Sequence, residues 1–275
     1  GYYAFYDYHE NKSVIDMFSE SACTAYSEFG VPSITEMKYL EKIMPKDILH
    51  KPQPHSAWEL HHAYGAWIYA GMDSWMCFKI LDIVFGKQKS LEDYIEKSIW
   101  AQCEGLKFIF EEARRQKPTC AMAINWCYNE PWPNFTNCNI IRYPNIRKDS
   151  YFGVKESLKP IVFSAEIERF SYFCGENLHF GLWLLNDSQD AAAASAKVYF
   201  GINGEKTLLL EWNAGNDKPN ENLKGPEINF VIPYTGAEVA EIIIESEKGY
   251  GNKYIIKLNR KPERIETREL NQLAE

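Results

Sequence analysis

The sequence is short of the features that announce most chemistries. It has no Cys-x-x-Cys pair and no His and Cys at metal-ligand spacing, so its seven scattered cysteines mark neither a zinc site nor a disulfide framework. It has no Gly-x-Ser-x-Gly elbow, which argues against a serine hydrolase, and no glycine-rich phosphate loop. Positive charge is in deficit, 30 Lys and Arg against 38 Asp and Glu, which leaves no basic stripe for nucleic acid or anionic lipid. No apolar run is long enough to cross a bilayer, no signal peptide opens the chain, and no internal repeat is visible. No cofactor and no metal are expected.

What is present is a large apolar and aromatic complement, with 8 Trp and 17 Tyr among 275 residues, enough for one large domain or two ordinary ones. Aromatic rings build cores, and they also form the flat apolar faces on which sugar rings stack. Ala22 to Glu28 reads as a short buried strand broken by Gly30 and Pro32. Ser33-Ile34-Thr35-Glu36 has the pattern of a capping box and predicts a helix from there to about Pro45. A helix-compatible stretch, Trp58 to Phe85, follows and is expected to break near Gly71. Ser90 caps the clearest helix, Leu91 to about Gln116, whose apolar face carries Leu91, Ile95, Ile99, Cys103, Leu106 and Phe110. Thr119 to Cys127 is a continuous apolar run, the pattern of a parallel strand covered on both faces.

Strand, helices and strand, with polar residues gathered after each strand, is the order of a (β/α)8 barrel or an open α/β sheet. Two strands do not close a barrel. From about Pro160 the texture changes to short alternating runs (His179 to Leu185, Lys197 to Phe200, Thr207 to Trp212, Ile228 to Ile232, Ala240 to Glu245, Lys253 to Leu258), which predicts an antiparallel sandwich of immunoglobulin type. Ala191 to Ala194 reads as a loop, and the charged tail after Arg260 as disordered or loosely helical. The predicted fold class is therefore α/β plus all-β, with domains at 1–159 and 160–260 and a tail at 261–275.

A carboxylate at the C-terminal end of a barrel strand faces the mouth where barrel active sites are built. That makes Glu28 the leading catalytic candidate; its bland alternative is capping or pairing beside the following helix. His61-His62 are adjacent on a helix-compatible stretch, so at most one points inward. The sequon Asn134-Phe135-Thr136 is assigned no role.

Ser27-Glu28-Phe29-Gly30, with Pro32-Ser33-Ile34 and the segment Thr35 to Pro45, resembles the nucleophile region of glycoside hydrolase family 2 β-mannosidases and exo-β-glucosaminidases. Tyr6 to His9 resembles the Tyr-His stretch before that nucleophile. Ala123 to Pro133 resembles the eighth-strand motif, and Tyr151 to Pro160 the segment leading into the family's C-terminal sandwich. The departures are Glu130 where the family often has Asp or Asn, and a loop at 134–150 without the usual Trp.

The resemblance implies the C-terminal portion of a TIM barrel followed by an immunoglobulin-like β-sandwich, in a retaining exo-β-glycosidase acting on terminal β-mannosides or β-glucosaminides, with β-galactosides possible. It makes Glu28 the nucleophile and gives Asn129, Glu130, Trp132 and Trp126 contact with the sugar; Trp132 could equally plug the barrel rim. The family's acid/base Glu lies in an Asn-Glu pair upstream of the nucleophile, and no Asn-Glu precedes Glu28 here. Asn129-Glu130 is out of order for that role. The partners implied are a carbohydrate substrate and the upstream rest of the same catalytic domain, with a periplasmic or secreted location from family habit alone; the isolated chain is expected to be inactive. The competing reading is a non-catalytic carbohydrate-binding or interaction module.

Overall fold

A computed structural model describes residues 3–50, 55–61, 77–216 and 218–259. The chain divides into two compact units at Val162/Phe163, just beyond Pro160. The helical break expected near Gly71, His62 of the histidine pair and the tail at 261–275 lie outside the described residues.

In the first unit β1 (Tyr6–Asp7) and β2 (Lys12–Ser13) form a hairpin leading into α1 (Val14–Ser19). Ser13 and Asp16 close a capping box at its start. Then follow β3 (Ala25–Phe29), β4 (Ser33–Ile34), α2 (Met37–Ile43), α3 (Ala57–Leu60), α4 (Phe78–Phe85) and α5 (Leu91–Arg115). The unit continues with β5 (Met122–Asn125), β6 (Thr136–Asn137), β7 (Ile141–Arg142), β8 (Ile146–Arg147) and α6 (Asp149–Ser157).

The two sequence-predicted strands, β3 and β5, are parallel neighbours, with Ala25 opposite Met122 and Tyr26 opposite Ala123. A parallel pair needs a crossover, and α1 and α5 both pack on it: Phe29 meets Phe18 of α1 at 5.7 Å and Phe110 of α5 at 5.2 Å. Ser90 Oγ accepts from the Asp93 amide at 3.1 Å and starts α5 as its sequence implies.

Two expectations fail here. Ser33 and Ile34 do not open a helix: they form β4, paired with Asn137 and Thr136. Glu36 becomes the N-cap residue of α2 without a side-chain cap, because its carboxylate is taken by Arg142. Nor is β5 covered on both faces, since Met122 and Ile124 are 43% and 48% exposed. Among the described residues β3 is its one strand partner.

Polar side chains hold the centre of this unit. Gln102 of α5 is 1% exposed and joins four segments. Its Oε1 accepts from Ser33 Oγ (2.8 Å) and Ser150 Oγ (2.9 Å), while its Nε2 donates to the carbonyls of Val31 (2.8 Å) and Asn137 (3.1 Å). One turn earlier, Ser98 Oγ accepts from the Ile34 amide at 2.9 Å.

The second unit is two sheets, ordered β10-β16-β15-β12-β13 and β14-β11-β9. Their ranges are β9 (Ile161–Ile167), β10 (Ser171–Phe173), β11 (Asn177–Asn186), β12 (Ala192–Ile202), β13 (Glu205–Asn216), β14 (Leu223–Val231), β15 (Val239–Glu245) and β16 (Asn252–Asn259). The inner faces meet through Phe200 and Phe230 at 4.8 Å and Phe163 and Trp212 at 5.6 Å. Trp212 lies flat over Gly225, where a Cβ would sit 2.5 Å from the ring. The sandwich is not wholly antiparallel, because β10 pairs parallel to β16. The alanine patch is not a loop either: Ala192–Ala194 belong to β12 and alternate buried and exposed. All seven cysteines are free.

Replacing Gln102 by Leu keeps the volume but strands two carbonyls and two hydroxyls in the interior. The expected cost is about 3 kcal/mol, read from urea unfolding of the chain. A loss under about 1 kcal/mol contradicts the bridging role.

Candidate functional site

The C-terminal ends of β3 and β5 open on the same side because the strands run parallel. Along β3 the alternation breaks: Tyr26 and Phe29 are buried, and Ser27 and Glu28 are both exposed. The pairing register shifts between Tyr26 and Phe29, so the irregularity turns Glu28 outward beside the end of β5.

Glycine is required immediately afterwards. A Cβ on Gly30 would stand 2.7 Å from both the Trp126 carbonyl oxygen and Cys138 Cβ. The Trp126 amide in turn donates to the Phe29 carbonyl at 2.7 Å. These contacts draw Trp126 against the strand that carries Glu28. The Trp126–Cys127 peptide is cis.

Tyr3 completes the group. Its phenol hydrogen-bonds Glu28, and its ring meets Trp126 edge to face at 5.8 Å. Burial first, then the bond to Glu28 and that carboxylate's charge, push the Tyr3 hydroxyl far above its ordinary range. Tyr3 therefore stays protonated and donates. A carboxylate, a donor that orients it and a half-buried indole share one surface, an arrangement suited to a nucleophile beside a sugar-stacking wall.

Of the other sequence-predicted residues, Trp132 is 41% exposed and stacks on His61 at 5.0 Å and 20°. His61 Nδ1 is 2.7 Å from the Pro133 carbonyl, which fixes that ring from below. Asn129 is exposed and bridges to Ile141 in parallel register.

Glu130 is placed differently from its expected part in sugar contact beside Glu28. It is 3% exposed, and its Oε1 accepts from the Tyr143 amide at 2.9 Å. Burial raises its carboxyl above the usual range, against the opposing pull of that amide and of Lys148. Asn134 of the sequon is also 3% exposed, closed to any glycosyltransferase in the folded chain.

Sequence reading missed Tyr3. The Tyr-His stretch drew attention to Tyr6–His9, yet Tyr6 bonds Asn11 within the hairpin and Tyr8 leans on His9. No local pattern marks Tyr3, because its bond to Glu28 is a tertiary contact.

Lys148, enclosed behind this region, donates to Ser33 Oγ at 3.1 Å. Burial lowers its ammonium to about 8, although Glu130 favours the charged form.

No family model matches the chain, and no curated protein matches it in sequence. Solved structures share its fold. It is similar to β-D-mannosidase from Dictyoglomus thermophilum, with 18% identity and a TM-score of 0.67, over 96% of this chain and 31% of that one. It is also similar to the exo-chitosanase of Amycolatopsis orientalis in complex with PNP-β-D-glucosamine, with 14% identity and a TM-score of 0.66, over 94% of this chain and 30% of that one. The chain thus spans about a third of the length of the enzymes whose fold it shares.

Gly30→Ala is expected to cost about 2 kcal/mol in urea unfolding, because backbone rather than a flexible side-chain tip blocks the added methyl. For Lys148 the folded value of about 8 lies below its ordinary 10.5. Between those values the unfolded chain binds more protons than the folded one, so this residue's contribution to stability rises with pH. Lys148→Met should remove that rise; stability curves that stay parallel across the window contradict it.

Proposed function

We propose that the chain is the nucleophile-bearing C-terminal part of a retaining exo-β-glycosidase acting on terminal β-linked mannose or glucosamine. The observation that carries this reading is the Tyr3–Glu28–Trp126 group at the shared end of two parallel strands. The fold shared with a β-mannosidase and an exo-chitosanase supports it. On this reading β3 and β5 are the last two strands of a (β/α)8 barrel, the second unit is the immunoglobulin-like domain after it, and the remaining strands come from upstream.

Glu28 attacks the anomeric carbon as the leaving oxygen departs and forms a covalent glycosyl-enzyme, which water then cleaves. The Tyr3 hydroxyl holds the carboxylate in the attacking orientation and shares its charge. Trp126 offers the apolar face of the sugar a wall, and Trp132 and Asn129 flank the approach. A second carboxyl group about 5 to 5.5 Å from Glu28 must protonate the leaving oxygen and later activate the water. That group is assigned to the upstream part of the same domain.

The chain alone is expected to release no product from aryl β-mannosides or aryl β-glucosaminides. In the protein joined to its upstream barrel, Glu28→Gln should lower kcat by several orders of magnitude, and retention of more than roughly a tenth of the activity contradicts the assignment. Tyr3→Phe should lower kcat roughly ten- to a hundredfold with KM nearly unchanged, the effect of one hydrogen bond to a charged group.

A further inference from the structure

A chain of rings runs from the core of the first unit to its surface by way of the short helix α3. Trp58 and Phe135 are both 0% exposed and stack face to face at 3.7 Å and 9°. Trp58 is fixed in turn by its indole N–H, which donates to the Ile48 carbonyl at 2.9 Å. His61, the residue that ends α3, meets Phe135 edge to face at 5.8 Å and lies against Trp132 at 5.0 Å and 20°. Trp132 is 41% exposed with the imidazole against one face, so its open surface is on the side away from His61.

His61 is itself held at two points by the loop that carries Trp132. A helix leaves its last carbonyls without partners, and the Phe135 amide takes the His61 carbonyl at 2.9 Å. His61 Nδ1 lies 2.7 Å from the Pro133 carbonyl, and because a carbonyl only accepts, Nδ1 carries the hydrogen. One bond fixes the backbone of His61 and the other the plane of its ring. Pro131 and Pro133 bracket Trp132 and restrict the main chain on either side, yet an exposed indole keeps its own side-chain rotations. A ring stacked on it restricts them. An indole left loose has to be ordered each time a ligand stacks on it, and that ordering weakens binding.

We propose that His61 is a positioning residue: by stacking on Trp132 it holds the indole with its free face turned toward the sugar. Its effect passes through Trp132 and not through contact with the reacting atoms. The inference rests on the glycosidase reading, in which Trp132 flanks the approach to Glu28.

Two measurements test it. In the 275-residue chain, the Trp132 indole N–H signal of a nitrogen-correlated NMR spectrum, identified by its loss in Trp132→Phe, should shift in His61→Ala, because a stacked ring displaces its neighbour's resonances. A signal that does not move means that the rings do not meet in solution and overturns the proposal, whatever the chain does with sugars. In the protein with the upstream barrel that the glycosidase reading assigns to it, His61→Ala should raise KM for aryl β-mannosides or aryl β-glucosaminides roughly three- to tenfold with kcat nearly unchanged. His61→Phe, which keeps a ring against the indole, should recover part of that loss, and His61→Asn, which offers Pro133 a donor but no ring, should not. The reverse order would mean that the loop needs the hydrogen bond and not the ring, and overturns the proposal. In a Trp132→Ala background His61→Ala should add less than about twofold, since the partner through which it acts is gone. A rise in KM of the same size with and without Trp132 gives His61 a merely structural part and overturns the proposal, as does an unchanged KM. If the parent hydrolyses neither substrate while the indole signal still shifts, the glycosidase reading is what fails, and the positioning role falls with it.

Discussion

The closeness of Gly30 to Trp126 is the constraint on which the rest of the first unit depends. Two parallel strands can carry their C-terminal residues into one place only if the backbones converge there, and a side chain at residue 30 would hold them apart. Convergence brings the indole against the strand of Glu28, and Tyr3 then spans the two with a hydrogen bond to one and a ring contact to the other. The break in alternation at Ser27 and Glu28 leaves the carboxylate outside while Phe29 anchors the strand in an aromatic cluster. Rigidity below and exposure above come from adjacent residues.

Beneath that surface the unit is stabilised by polar groups as much as by apolar packing. Gln102 and Ser98 bind backbone that β3 and β4 leave without ladder partners, which is how such short strands stay in register. Lys148 accepts the desolvation cost of a charged group in order to satisfy Ser33. Such a network fixes one arrangement strongly, since a partial substitute leaves a polar group dry.

Some of this was legible in the sequence. The helix from Leu91 was plain because its cap and apolar face are local, and the six alternating runs of the second unit each became a strand. Ser33–Glu36 misled because a capping box is only an offer of hydrogen bonds: Gln102, Lys148 and Arg142, distant in sequence, take up the Ser33 hydroxyl and the Glu36 carboxylate. The alanine patch misled because a strand rim packed against a neighbour needs little side chain. The strands at Ile161–Ile167 and Ser171–Phe173 passed unnoticed in the same half. At the candidate site Glu28 was visible from its place at a strand end, whereas Tyr3 was not, because only the folded chain brings them together. Glu130 was expected to contact the sugar from its place in the motif after a strand, and its burial goes with the return of the chain through Tyr143, whose amide it accepts.

The most direct measurement of the central claim is mass spectrometry of the protein with the upstream barrel that the proposal assigns to it, after reaction with a fluorosugar that traps glycosyl-enzymes. If Glu28 is the nucleophile, the sugar is found on the peptide containing Ser27-Glu28-Phe29-Gly30, and faster labelling by the manno- or the glucosamine-configured reagent names the substrate. A label on any other carboxylate, or none on a folded and sugar-binding protein, contradicts the account.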